Sequence, residues 1–253
     1  MRILLTNDDG YRASGINVLY QTLIDAGYEV ILAAPERNSS GSSQSISVYS
    51  PISITPINDT IYFITGTPAD SVRLGLQYIY KTVDNYPHMV ISGINLGENV
   101  ADDIFYSGTV GAAREGVLHN IPSIAFSVSS SSFHYLKDAA RIVIELLQKI
   151  KNDMNILNKP FLWNVNIPNK PYHEIDGFAV TKLGRRSIHR ELLQQTTIRG
   201  DEIFWQGLSG SVIDNDLDTD ATVCEEQNKV SITPLEMLPT DYSQIDIIKN
   251  LLI

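Results

Sequence analysis

The sequence predicts an α/β protein built on a doubly wound, mainly parallel sheet, followed by a β-rich C-terminal extension and a terminal helix. Three observations predict it. Apolar runs of strand length alternate with segments of helical periodicity over roughly the first two-thirds of the chain. The joins between them are short, and a strand–helix–strand unit with short joins makes its strands parallel. After Pro168 the texture changes to short β-like runs separated by polar stretches. This gives a core over residues 1–168 and an extension over residues 169–253, parts of one domain.

Each element has its own signal. Residues 2–6 read as a short buried strand. Ser14 caps a helix whose apolar positions Ile16, Leu19, Tyr20, Leu23 and Ile24 share one face, and Gly27 ends it. A second strand over residues 30–34 stops at Pro35, and a third covers residues 61–65. Thr67-Pro68-Ala69-Asp70 starts a helix, with a capping residue and proline at the first helical position. Residues 89–92 and 123–128 are strands, and residues 109–118 form the helix between them. Leu136, Ala139, Ala140, Val143, Leu146, Leu147 and Ile150 make one helical stripe. Phe161, Trp163, Val165 and Ile167 alternate, which predicts a strand with one wetter face. Beyond Pro168, β-like runs fall at residues 178–181, 202–205 and 230–233. The acidic run 214–220 reads as an exposed loop, and residues 242–252 read as a last helix.

Composition narrows the function. With 253 residues, 43% hydrophobic and 19% charged, the chain can bury a sizeable core. A net charge of −10 disfavours duplex nucleic acid and anionic membrane as partners, because neither would gain counterion release. Cys224 is the only cysteine, which excludes an intrachain disulfide and a cysteine-based zinc site; it reads as inert. No basic leader followed by an apolar stretch is visible, and no apolar run approaches the roughly 20 residues that span a bilayer. The expectation is a soluble, cytoplasmic protein.

In open α/β sheets ligands bind beyond the carboxyl ends of the strands. Three stretches land there: Asn7-Asp8-Asp9-Gly10, the run from Pro35 to Gly41, and Gly93-Ile94-Asn95-Leu96-Gly97-Glu98-Asn99. Together they offer carboxylate, hydroxyl and amide oxygens without thiolate or histidine, a donor set for Mg²⁺, Mn²⁺ or Ca²⁺. A cation would also relieve the repulsion between Asp8 and Asp9. Taken singly each piece has a plainer reading. Asp-Asp-Gly is a common turn, the serine-rich loop from Asn38 to Ser47 is a flexible connection, and Asn95 bonds its own backbone. The convergence of three loops on one edge carries the metal reading. Tyr106-Ser107-Gly108-Thr109 precedes a helix, whose free N–H groups bind anions; it reads as a phosphate seat or as an ordinary cap.

Other chemistries lack their motifs: there is no G-x-x-x-x-G-K-[ST], no G-x-G-x-x-G after the first strand and no G-x-S-x-G. The histidines at 88, 119, 134, 173 and 189 show no metal-ligand spacing. Trp163 reads as core and Trp205 as core or interface.

The motif series "MRILLTNDDG" (1–10), "PERNSSG" (35–41), "GTPADSV" (66–72), "SGINLGENV" (92–100), "YSGTVGAAREG" (106–116) and "VSITPL" (230–235) resembles the SurE family. These are stationary-phase survival proteins that act as nucleoside monophosphate phosphatases on a Rossmann-like fold. The resemblance implies one divalent cation per subunit, Mg²⁺ or Mn²⁺, held by Asp8, Asp9, Ser40 and Asn95. It implies phosphate contacts near Asn99 and from Ser107, Gly108 and Thr109, and catalysis at Asp8 and Asp9. It implies nucleoside 5′- and 3′-monophosphates as substrates, and dimers or tetramers that exchange C-terminal elements. Three positions depart from the family pattern: Ser14 where proline is usual, Ser71 where cysteine is frequent, and Ala101 where glycine is usual. Two rival functions remain on this reading: a phosphatase with an aspartyl-phosphate intermediate, and a non-catalytic nucleotide sensor.

Overall fold

The structure, a computed structural model, describes residues 1–129, 134–187, 192–206, 210–213 and 216–252. His189, together with Asp214 and Asn215 of the acidic run and the terminal Ile253, lies outside the described residues.

The chain builds β1 (Arg2–Thr6), α1 (Ser14–Asp25), β2 (Glu29–Pro35), β3 (Ile54–Pro56), β4 (Ile61–Ile64) and α2 (Pro68–Leu74). It continues with β5 (Met89–Leu96), α3 (Gly108–Leu118), β6 (Ser123–Ser129), α4 (Leu136–Asn152) and β7 (Leu162–Pro168). The extension adds β8 (Phe178–Val180), β9 (Leu192–Thr196), β10 (Glu202–Gln206), α5 (Asp220–Glu225), β11 (Val230–Leu235) and α6 (Tyr242–Leu251). Among the described residues, nine strands form one sheet in the order β3-β4-β2-β1-β5-β6-β7-β11-β8, while β9 and β10 form a separate hairpin. From β4 to β7 every pairing is parallel; β3 and β11 enter antiparallel.

Side-chain alternation explains the two-sided core. Ile3 and Leu5 of β1, Met89 and Ile91 of β5, and Ile124 and Phe126 of β6 pack with Ile16 and Leu23 of α1 and Val143 and Leu147 of α4. The intervening Leu4 and Val90 pack on the opposite face with Val72 of α2 and Ala112 of α3. Strands covered on both faces read as continuous apolar runs, which is how β1 and β5 read in sequence.

Several expectations change. Ser14 does not cap α1: it is the first helical residue, and the cap position is Ala13, whose methyl group offers no acceptor. Strands β3 and β9 arise where no strand is predicted, being too short or too polar to show a period. The acidic run is not all exposed loop, because Asp220 is buried at the start of α5. The predicted wetter face of β7 is dry: Asn164 and Asn166 are fully buried. Trp163 is half-buried, stacked on Phe161 with ring centroids 4.3 Å apart, and Trp205 is 60% exposed. The cap and proline at the start of α2 hold, with Thr67 accepting from the Asp70 N–H at 3.1 Å and Asp70 accepting from the Thr67 N–H at 3.0 Å. Such a cap contributes about 1 kcal/mol.

Candidate metal and phosphate site

The three loops meet at the carboxyl edge because β2, β1 and β5 are adjacent and parallel. Asn7 folds the first loop, donating from Nδ2 to the Gly10 carbonyl at 3.0 Å and accepting from the Gly10 N–H at 3.2 Å. The second loop docks on the first through the Ser39 N–H, which donates to the Asp8 carbonyl at 2.7 Å. The third joins through the Leu96 N–H, which lies 3.4 Å from Oδ2 of Asp9. A fourth segment, the start of α3, closes against Asp8. Gly108 is required there: a Cβ would stand 2.7 Å from Oγ of Ser42 and 2.8 Å from Cβ of Asp8.

Asp8 is buried, with 3% of its surface exposed. The Thr109 hydroxyl donates to its Oδ1 at 2.6 Å. Burial pushes the Asp8 carboxyl above the ordinary range, while Thr109 and the N–H groups of Gly108 and Thr109 oppose that shift. Asp9 is pushed up to about 6, first by burial and then by the charge of Asp8, with the Leu96 N–H acting against both. The helix N-terminus expected to seat phosphate therefore already faces an anion, the Asp8 carboxylate. The sequence reading gives the Thr109 hydroxyl to phosphate; in the structure it holds Asp8. Ser107 caps α3, its Oγ accepting from the Val110 N–H at 3.1 Å.

The remaining residues fall on either side of the acids. Asn95 donates from Nδ2 to the Gly97 carbonyl at 2.7 Å, which leaves its Oδ1 to offer. Ser40 is exposed on the rim, its N–H donating to Oδ1 of Asn38 at 2.8 Å. Asn99 is fixed further along the edge. Its N–H donates to Oδ1 of Asn166 at 2.9 Å and its Nδ2 to Oγ of Ser127 at 2.8 Å. Its carbonyl accepts from Asn164 at 2.7 Å and Asn166 at 3.0 Å. These two asparagines were visible in sequence only as polar residues alternating with Val165 and Ile167.

The extension supplies two further supports that the sequence reading missed. Asp220 accepts from the N–H groups of Ala101 and Gly184, each at 3.0 Å. Arg186 donates from Nε to Asp103 at 2.7 Å and lies 3.5 Å from Glu98. Neither had a sequence signal, since Asp220 sat in an acidic run and Arg186 in a polar stretch.

Residues 3–190 match the family described as Survival protein SurE. The chain belongs to the SurE family. It is 41% identical to the 5′-nucleotidase SurE of Methylobacillus flagellatus over 250 residues, covering 99% of this chain and 98% of that one. It is 43% identical to the 5′-nucleotidase SurE of Nitrosomonas eutropha over 253 residues, covering all of both. The crystal structure of the SurE protein from Aquifex aeolicus superposes with a TM-score of 0.83 at 34% identity, covering all of both chains. That likeness bears out the expected α/β, Rossmann-like sheet.

Two departures from the SurE pattern gain a physical reading. Ala101 has φ of 53°, a left-handed conformation that glycine adopts without penalty and that Asp220 holds here through the Ala101 N–H. Ser14 occupies the first helical position, where a proline fits best.

A divalent cation fits these residues. Two carboxylates, an amide oxygen and a hydroxyl form a hard-donor set, and among the described residues no cluster of three histidine, cysteine or acidic side chains competes with it. The buried Oγ of Ser42, beside Gly108 and Asp8, has no hydrogen-bond partner among the described residues and marks polar room next to the acids.

Proposed function

We propose that the protein is a divalent-cation-dependent phosphatase that hydrolyses nucleoside 5′- and 3′-monophosphates to nucleoside and phosphate. The observation that carries this reading is the acid pair of buried Asp8, held at the N-terminus of α3, and half-buried Asp9 beside it, in a chain whose SurE relatives bear the name 5′-nucleotidase. Asp8, Asp9, Ser40 and Asn95 would hold Mg²⁺ or Mn²⁺. Bound there, the cation supplies Lewis-acid charge to a phosphoryl oxygen and makes water more acidic.

The chain's own groups divide the remaining work. Asp8 is committed to Thr109 and acts as a fixed charge. Asp9 is more open and is the carboxylate placed to orient water and hold its proton. Ser107 keeps its hydroxyl proton while its oxygen caps the helix, so it can donate to a phosphate oxygen. Gly108 lets that oxygen approach the backbone. Asn99, locked by Asn164 and Asn166, sets the far side of the phosphate seat.

A screen of nucleoside monophosphates and an aryl phosphate, with and without chelator, tests the reading. Activity should vanish in chelator and return with Mg²⁺ or Mn²⁺. Full turnover by metal-free protein in excess chelator would overturn the metal role, a trapped phosphoenzyme would favour the aspartyl-phosphate route, and nucleotide binding without turnover would favour a sensor.

The assembly belongs to the same proposal: a homodimer or homotetramer joined through the extension. None of the α6 residues is buried, and the β9–β10 hairpin exposes Leu192, Leu193, Phe204 and Trp205. No helix among the described residues is long and apolar enough to cross a membrane; a cytoplasmic location is the setting we propose.

A further inference from the structure

A cleft of about 390 Å³ opens at the carboxyl edge of the sheet beside Asn99. Glu98, Ser129, Asn169, Lys170 and Glu225 line it. Its position follows from the strand order. Asn99 is tied to Ser127 on β6 and to Asn166 on β7, and the cleft is lined by residues just past those anchors on both strands. Two residues along a strand is about 7 Å. The cleft therefore begins one short step outward from the proposed phosphate seat.

We infer that this cleft is the nucleoside subsite, with Glu98 accepting hydrogen bonds from the ribose hydroxyls and Glu225, Asn169 and Lys170 facing the base. The inference rests on the phosphatase reading and adds a substrate preference to it, ribonucleotides over deoxyribonucleotides. The volume is within the range of small-ligand sites. Glu98 neighbours Asn99 in sequence, which places it on the side of the cleft next to the phosphate seat, where the sugar of a bound nucleotide would lie. A carboxylate suits a ribose hydroxyl because it offers only acceptors to a group that donates, as acidic residues do in dinucleotide sites. Glu98 is held in place by Arg186, 3.5 Å away, and Lys170 by Asn228, which accepts from its Nζ at 2.6 Å. Both walls are thus built before a ligand arrives. Glu225 is pushed above the ordinary carboxyl range, first by burial and then by the charge of Glu98. That proximity favours a ligand that brings donors to both.

The test compares kcat/KM of the full-length enzyme with Mg²⁺ or Mn²⁺ for adenosine 5′-monophosphate, its 2′-deoxy analogue and para-nitrophenyl phosphate. Wild type should prefer the ribonucleotide over the deoxyribonucleotide by several-fold. Glu98→Gln should erase most of that preference, through KM and not kcat. Glu225→Gln should lower kcat/KM for both nucleotides about tenfold relative to the aryl phosphate, and it reports on the cleft even if the Glu98 variant folds poorly. Unchanged substrate ratios in the variants, or equal losses on all three substrates, would overturn the subsite. Aryl phosphate turnover by wild type with unchanged ratios would sink the subsite alone, whereas no turnover of any phosphate ester by wild type would sink the phosphatase reading with it.

Discussion

Two adjacent carboxylates repel, and burying them makes each harder to ionise. Asp9, pushed up to about 6, binds its proton more tightly in the native protein than in the unfolded chain, where it titrates near 4. Native Asp9 thus contributes stability below about pH 4 in the metal-free protein, and that contribution is lost as pH rises through about 6. His88, held below its usual range by burial, acts in the opposite sense, so the difference between wild type and Asp9→Asn isolates the aspartate. In chelator, the Asp9→Asn melting curve should gain on wild type between pH 4 and 7; a gap that closes with rising pH would defeat the argument. With metal present, Asp8→Asn and Asp9→Asn should each lose activity by on the order of a hundredfold or more, measured as kcat. Thr109 makes a separate case. Its hydroxyl stabilises ionised Asp8, so Thr109→Val should weaken Mn²⁺ binding by about 1–3 kcal/mol in a calorimetric titration. An unchanged Mn²⁺ affinity would return Thr109 to the phosphate role that sequence assigns it.

At the scale of elements, helix ends carry much of the site. The start of α3 faces Asp8, and its capping serine is also the proposed phosphate donor. The start of α2 captures the serine loop: Asp70 accepts from the Ser47 N–H at 3.1 Å and Thr67 donates to the Ser45 carbonyl at 2.6 Å. On α3, the buried Glu115 accepts from Gln44 at 2.8 Å, which holds the same loop from its other side. The start of α1 is less well made, because Ala13 cannot cap it. Ala13 has φ −60° and ψ 147°, the conformation favoured before proline, and Ser14 is exposed. Ser14→Pro should therefore raise stability by about 0.4–1 kcal/mol, read from the denaturant midpoint at unchanged slope. A lowered midpoint would show that the Ser14 N–H or hydroxyl contributes more than the rigid ring.

The whole molecule has an apolar surface that a single chain leaves uncovered. Ile248 is 52% exposed and Leu251 82% on α6, and Leu252 just past its end is 79% exposed, with the spacing of a packed stripe. The β9–β10 hairpin adds exposed Phe204 and Trp205. Patches of this kind mark contact surfaces, and reuse of a terminal element between copies is a low-cost route to a closed dimer. Full-length protein should have the mass of a dimer or tetramer by light scattering, and removing residues 241–253 should shift it towards the monomer. Activity lost on truncation should come indirectly, since Asp8, Asp9, Ser40 and Asn95 lie in the core over residues 1–168, outside the extension. A full-length monomer at micromolar concentration, or a truncation that stays fully dimeric, would defeat the proposal.

What sequence determined here is what depends on near neighbours and on period. The apolar runs of β1, β5 and β6 and the stripe of α4 are legible because side-chain alternation and helical spacing are local properties. Parallel connections then bring Asp8, Asp9 and Asn95 to one edge, so their shared placement is legible from the order of strands and helices alone. Tertiary structure decided the partners. Thr109 meets Asp8 across 101 residues, and Asp220 meets Ala101 across 119. Asn164 and Asn166 looked like a wet face, yet they turn inward to hold Asn99 because α3 and α5 pack against β7. No local propensity encodes such pairings. They depend on which strand lies beside which, and on a buried polar atom taking the donor or acceptor that packing leaves within reach.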